Sequence, residues 1–239
     1  MSADSGKDDV AGARPAGATR LYGRHKGKKL RAHQAGLLET LLPRLALDLS
    51  RPIADATTLF PRKPAAIWLE IGFGGGEHLI ARAEANPNCG FIGCEHFENG
   101  LAKALALVEA KKLDNIRFYC GDAGAVIDAL PDGALKGVYL LYPDPWPKRR
   151  QRKRRFLSDD MLAALARVMQ SEAQLRFATD IDDNAGWTLA RILRSTDFIW
   201  DAETAADWQQ AWPGWTSTRY ETKALATGRK PIYLTFARR

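Results

Sequence analysis

Short, nearly continuous apolar runs recur along the chain, each bounded by turn residues. AAIWLEIG at 65–72, CGFIGCEH at 89–96, NIRFYCGDA at 115–123, LKGVYLLY at 135–142 and AQLRFATDI at 173–181 have this form. It predicts five strands buried on both faces. Between them lie segments with apolar positions at helical spacing. One follows the glycine turn at 72–76 and ends near Pro87; others cover 99–113, 125–130, 158–170 and 183–195. Ser158 is a good N-cap, and Asp159 and Asp160 suit the first turn of the helix it opens. TDFIWDAE at 196–203 and KPIYLTFARR at 230–239 predict two more strands. No helix is evident in the Trp-rich segment 204–229 between them, so they are expected to pair as an antiparallel edge.

Strand–helix alternation in units of this length implies a parallel sheet with helices on both faces. The expected fold class is α/β, a mostly parallel seven-stranded sheet with an antiparallel edge strand. The strand pattern opens at Ala65. Residues 1–19, rich in Ala, Gly, Asp and Ser, read as a disordered tail. Residues 20–31, RLYGRHKGKKLR, read as a basic arm, either a solvated linker or a segment that orders on RNA. Residues 32–49 predict one amphipathic helix packing on the core despite Pro43, and 50–64, with three prolines, a connector. The expected division is therefore 1–19, 20–64 and a main domain at 65–239.

Composition adds charge to this picture. The formal net charge is +7 and the pI about 9.4, which favours polyanionic partners. Cys89, Cys94 and Cys120 lack metal or disulfide spacing and are expected to be buried free thiols in a reducing cytoplasm. The four histidines are scattered without metal-ligand spacing, so no metal is expected. No apolar run approaches a membrane span.

Two stretches carry chemistry. The first is Glu70-Ile71-Gly72-Phe73-Gly74-Gly75-Gly76, between a strand and a helix. Glycines there let a ligand approach the backbone. The third glycine of a dinucleotide fingerprint is missing, since Glu77 or Leu79 stands at that place, and no P-loop is present. Each later strand also ends on an acid: Glu95, Asp122, Asp144 and Asp180. In a parallel sheet these ends converge on one edge. An acidic rim suits a ligand with hydroxyls, an exocyclic amine and positive charge, as in S-adenosylmethionine. Glu95 is placed for its ribose diol, Asp122 for the adenine end, and Glu70 with the glycine turn for the methionine moiety.

The second stretch is Pro143-Asp144-Pro145-Trp146-Pro147, followed by seven cations in eight residues from Lys148 to Arg155. Three prolines in five residues predict a stiff loop past a strand end, with the residues before proline extended. A carboxylate, an aromatic plane and a cationic arm together point to chemistry on a nucleic acid. Tyr142 or Trp146 is a candidate to stack on a base.

EIGFGGGEHL at 70–79, Glu95, GDA at 121–123, LYPDPWPK at 141–148 with its basic run, ATDI at 178–181 and TRYE at 218–221 together resemble the bacterial tRNA (guanine-N7-)-methyltransferases, within the class I S-adenosylmethionine-dependent methyltransferases. The resemblance covers residues 20–239. It implies the Rossmann-like methyltransferase fold and a cofactor site at Glu70, Gly72, Gly74, Gly76, Glu95, Asp122 and Asp144. It implies substrate contacts at Lys148, Asp180, Thr218, Arg219, Tyr220 and Glu221, and an RNA grip at Arg149, Arg150, Arg152, Lys153, Arg154 and Arg155. Asp144 is the expected catalytic residue, and the reaction an in-line methyl transfer to guanine N7 in the tRNA variable loop, without a general base and with S-adenosylhomocysteine as product. Two alternatives stand beside it: an exocyclic-amine methyltransferase, whose loop would read Asp/Asn-Pro-Pro-aromatic, and a non-catalytic RNA-binding protein on the same scaffold. Whether the protein is a monomer or a homodimer is left open.

Overall fold

The computed structural model describes residues 25–239. The tail expected at 1–19, and Arg20–Arg24 of the basic arm, lie outside the described residues. Seven strands form one sheet: β1 (Ala66–Ile71), β2 (Cys89–Cys94), β3 (Ile116–Tyr119), β4 (Leu135–Leu141), β5 (Met169–Thr179), β6 (Phe198–Trp200) and β7 (Ile232–Arg238). Their order is β3-β2-β1-β4-β5-β7-β6. The neighbours from β3 to β5 are parallel, and β7 runs antiparallel to both β5 and β6. The antiparallel pairing expected for the last two strands is present, with β7 seated between β5 and β6 rather than outside them.

Helices cover both faces. On one lie α1 (Ala32–Thr40), α2 (Leu42–Leu45), α3 (Glu77–Ala85) and α4 (Glu98–Lys111), sharing a core with Phe91, Ile116 and Phe118 of the sheet. On the other lie α5 (Ala123–Ala129), α6 (Asp159–Val168) and α7 (Asp182–Ile192), packed on Leu69, Val138, Leu175 and Phe236. Each large aliphatic or aromatic side chain buried this way contributes about 1.5–3 kcal/mol. α6 starts at Ser158, whose hydroxyl accepts the Met161 N–H at 3.2 Å, as its sequence predicts.

The region 32–49 departs from the expected single helix. Pro43 has no N–H to continue α1, so the chain breaks at Leu41 and Pro43 falls in the first turn of α2, where its missing donor costs nothing. Beyond α2, Leu47 N–H donates to the Phe118 carbonyl at 2.8 Å and Ala46 bridges Phe118, so this segment covers the edge of β3. The connector carries a short 3-10 turn at Ala56–Leu59.

The segment between β6 and β7, expected to lack a helix, contains α8 (Ala206–Gln209) and α9 (Arg219–Ala226). Thr218 caps α9, its hydroxyl accepting the Glu221 N–H at 3.2 Å. Thr218-x-x-Glu221 was the readable signal for that start. Of the cysteines, Cys94 is buried and Cys89 half-buried, whereas Cys120, in the turn after β3, is exposed, contrary to expectation.

Candidate active site

Strand order reverses between β1 and β4, and in an open α/β sheet a crevice opens beyond the strand ends at that point. Here it is a cavity of about 470 Å³, lined by Gly72 and Gly74 after β1, Glu95 and Phe97 after β2, Asp122 after β3, and Tyr142, Asp144 and Trp146 after β4. Tyr220 of α9 and Arg154 complete the rim.

The glycine turn shapes one wall. Gly74 has φ +59, a left-handed conformation that excludes most other residues, and a Cβ there would point at the Tyr220 ring, 3.6 Å away. Gly76 does not line the cavity. Its φ is +82 and a Cβ would lie 2.7 Å from Ala104, so glycine lets α3 start against α4.

The acids differ in their surroundings. Glu95 is gripped by the backbone: Oε2 accepts the Gly74 N–H at 2.7 Å and Oε1 the Phe97 N–H at 2.8 Å. Burial raises its pKa above the usual carboxylate range, and the two N–H bonds only partly offset that. Asp122 caps α5 through the Gly124 N–H at 2.9 Å. Asp144 stands at the mouth, exposed to water on one side, with its pKa raised by the desolvating walls of the loop. Glu70 turns away. Its side chain is buried on the α3 face and bonds His78 Nδ1 at 2.7 Å, beneath the glycine turn and off the cavity lining.

The proline loop is not uniformly extended, as residues before proline ordinarily are. Tyr142 has φ +51 and Trp146 φ +41, both left-handed. For residues with a Cβ this costs about 1–2 kcal/mol each, so surrounding contacts must impose it. Tyr142 N–H donates to the Ala178 carbonyl at 2.7 Å, and its ring is buried in a cluster with Tyr139, Trp212 and Tyr233, so it braces the root of the loop. Trp146 remains half-buried at the rim, with the Arg154 guanidinium 4.9 Å from its ring centroid.

Arg155 is where the charge run departs most from expectation. It is 5 % exposed; Nε donates to the Pro145 carbonyl at 2.7 Å, and the guanidinium pairs with Asp183. It therefore clamps the loop instead of presenting charge to RNA. Arg152 shares Asp183 at 2.5 Å. Lys148, Arg149, Arg150 and Lys153 are exposed around a 3-10 turn at Arg149–Arg154.

A family described as "Putative methyltransferase" matches residues 64–234. Proteins named tRNA (guanine-N(7)-)-methyltransferase from Rhodopseudomonas palustris strain BisB18 and from Brucella anthropi are 53 % and 50 % identical to this chain, over 97 % and 93 % of it and 92 % and 96 % of themselves. The chain belongs to the tRNA (guanine-N(7)-)-methyltransferase family. Among solved structures, TrmN from Thermus thermophilus (TM-score 0.52, 14 % identity, 74 % of this chain and 45 % of that one) shares the fold. So does precorrin-6y C5,15-methyltransferase from Geobacter metallireducens GS-15 (TM-score 0.50, 13 % identity, 76 % and 83 %). The sheet is thus that of the class I methyltransferases, as the sequence motifs imply.

Of the remaining motif positions of this methyltransferase, Tyr220 lines the cavity, and Lys148, Asp180, Thr218, Arg219 and Glu221 do not. Asp180, past the end of β5, pairs with Arg229 at 2.6 Å. Thr218 is spent on capping α9, and Arg219 and Tyr220 are exposed on its first turn. Glu221 is 3 % exposed and points inward. Sequence reasoning missed Phe97 and Phe156 in the lining, and the Glu70–His78 pair beneath it. Among the described residues no group of His, Cys, Asp and Glu is arranged to hold a metal, and no helix is long and apolar enough to cross a membrane.

Proposed function

We propose that this protein transfers a methyl group from S-adenosylmethionine to N7 of a guanosine in the variable loop of tRNA. The observation that carries this is one cavity with two unlike walls: glycines and backbone-held carboxylates on one side, and Asp144 and Trp146 beside an exposed cationic turn on the other. The names of the family's members support the substrate.

The residues present fit the cofactor. Glu95, with both oxygens anchored by N–H groups, keeps lone pairs for a ribose diol, and Asp122 stands where the adenine end would lie. Gly72 and Gly74 leave the backbone open to the methionine moiety. Glu70 acts from beneath the turn through His78. The cofactor supplies a methyl group on a sulfonium.

Guanine N7 has a lone pair in the base plane and no proton, so its attack calls for no general base. The chain's work is to align and to stabilise charge. Asp144, at the mouth, faces the positive charge that grows on the purine and accepts from its N1–H or N2 amine. Trp146, held by Arg154, offers an aromatic plane at the rim. Lys148, Arg149, Arg150 and Lys153 neutralise backbone phosphates.

Incubating the protein with methyl-labelled S-adenosylmethionine and an unmodified tRNA transcript, followed by nucleoside analysis, tests the reading. Label in 7-methylguanosine at a variable-loop position is expected. Label in N6-methyladenosine or N4-methylcytidine would transfer the assignment to an exocyclic-amine enzyme.

A further inference from the structure

Glu221 falls in a motif whose resemblance implies substrate contact, yet its carboxylate does not reach the cavity. One oxygen accepts the Trp215 Nε1–H at 2.8 Å, and the other accepts the Tyr233 hydroxyl. The Tyr142 hydroxyl abuts the same two groups without a hydrogen bond of ordinary geometry. The Trp215 ring in turn lies 5.0 Å, centroid to centroid, from His78, the partner of Glu70 under the glycine turn. In a capping box the acid at this place reaches back to its own helix start. Here Thr218 caps α9 alone, and the acid serves the interior.

We propose that Glu221 is a positioning residue of the methyl-transfer site rather than a substrate contact: by joining Trp215 and Tyr233 it fixes the first turn of α9 and the root of the proline loop. Two groups on the cavity depend on it. Tyr220, the preceding residue, stands 55 % exposed over the glycine turn, so its place follows from how α9 is seated. Tyr142, held left-handed beside the buried carboxylate, is two residues from Asp144 and sets the direction in which the loop leaves β4. Glu221 thereby ties the cofactor wall to the base wall. Burial and the neighbouring carboxylate push the Tyr142 and Tyr233 hydroxyls above the usual phenol range, so both stay protonated and Tyr233 remains a donor to Glu221.

This inference rests on the methyl-transfer reading, and the experiment separates the two. Glu221→Ala, Glu221→Gln and Tyr233→Phe would be compared with the parent protein for kcat, for KM of S-adenosylmethionine, and for tRNA affinity by filter binding. A positioning role predicts that Glu221→Ala lowers kcat roughly 10- to 100-fold, the effect of orphaning two buried donors. tRNA affinity should stay within about threefold, since every cation facing a phosphate is retained. Glu221→Gln, which still accepts from Trp215 and can donate to the Tyr233 oxygen, should restore most of kcat. Tyr233→Phe should lower kcat several-fold with tRNA affinity unchanged, and it carries the test if Glu221→Ala does not fold. The inference is overturned if Glu221→Gln is as impaired as Glu221→Ala and tRNA affinity falls with it, the pattern of a direct contact. It is equally overturned if Tyr233→Phe leaves kcat unchanged. A parent protein that methylates no tRNA would instead defeat the functional reading itself.

Discussion

Two carboxyls at the cavity are held above their ordinary pKa, and they answer to different measurements. Glu95 must be ionised to accept a diol, so cofactor affinity should weaken as pH falls through its raised pKa, earlier than an ordinary glutamate would allow. Calorimetric titration of S-adenosylhomocysteine against pH checks this; Glu95→Gln should bind weakly and lose the pH dependence. Asp144 should show itself in kcat instead. Asp144→Asn keeps the hydrogen-bonding shape but removes the charge, and is expected to lower kcat on the order of 100-fold while leaving cofactor affinity near the parent value. Near-normal turnover would refute the role given to it. At this scale much of the site was legible: Glu95, Asp122 and Asp144 stand at strand ends, and strand ends follow from the apolar pattern. The inward turn of Glu70 was not, because its partner His78 lies across a glycine turn whose path depends on packing between α3 and α4. The left-handed Tyr142 and Trp146 also escaped, since tertiary contacts override the ordinary preference before proline.

The proline loop is an element with its own fastening. Arg155 holds the Pro145 carbonyl and joins α7 through Asp183, whose pKa is lowered chiefly by the hydrogen bond from that guanidinium. A depressed carboxyl pKa means the clamp is fully present above the unfolded-state value and is lost only as pH falls through the lower folded one. On acidification, cofactor affinity should therefore fail before the loop loosens, a sequence that parallel binding and tryptophan-fluorescence titrations would reveal. Arg155→Ala should lower the melting temperature and reduce kcat by about tenfold through misplacement of Asp144. From sequence, Arg155 was indistinguishable from its six cationic neighbours; only the return of the chain into α6 shows which one is enclosed. α9 was hidden for a related reason. Its buried face is short, with Glu221 and Ala224 as its buried residues, so no apolar stripe announced it and only the cap did.

For the whole molecule, charge is divided by task. The exposed cations of 148–153 lie beside the cavity, while Arg155 serves the structure. Replacing Arg149, Arg150 and Lys153 together by Ser should weaken tRNA binding without altering cofactor affinity. It should also flatten the plot of log affinity against log salt by about 0.7–0.9 for each phosphate no longer neutralised. Affinity measured across a salt series decides this; an unchanged slope would remove the turn from the RNA interface. The parallel half of the sheet was readable because both its faces are covered and its strands carry nearly continuous apolar runs. The seating of β7 was not, since either order at the edge satisfies the same alternation.

That seating has a consequence for how the protein is made. β6 finds its hydrogen-bonding partner in the sheet only through β7, which is translated 32 residues after Trp200. At 5–20 residues per second, the nascent chain spends about 2–6 s with β6 unmatched and with β5 as a bare margin. Tyr233, the anchor of Glu221, arrives in the same late strand. A growing chain can thus form the parallel sheet, the glycine turn and the proline loop before β7 exists, and the contact that ties Glu221 to the sheet is made only once Tyr233 arrives.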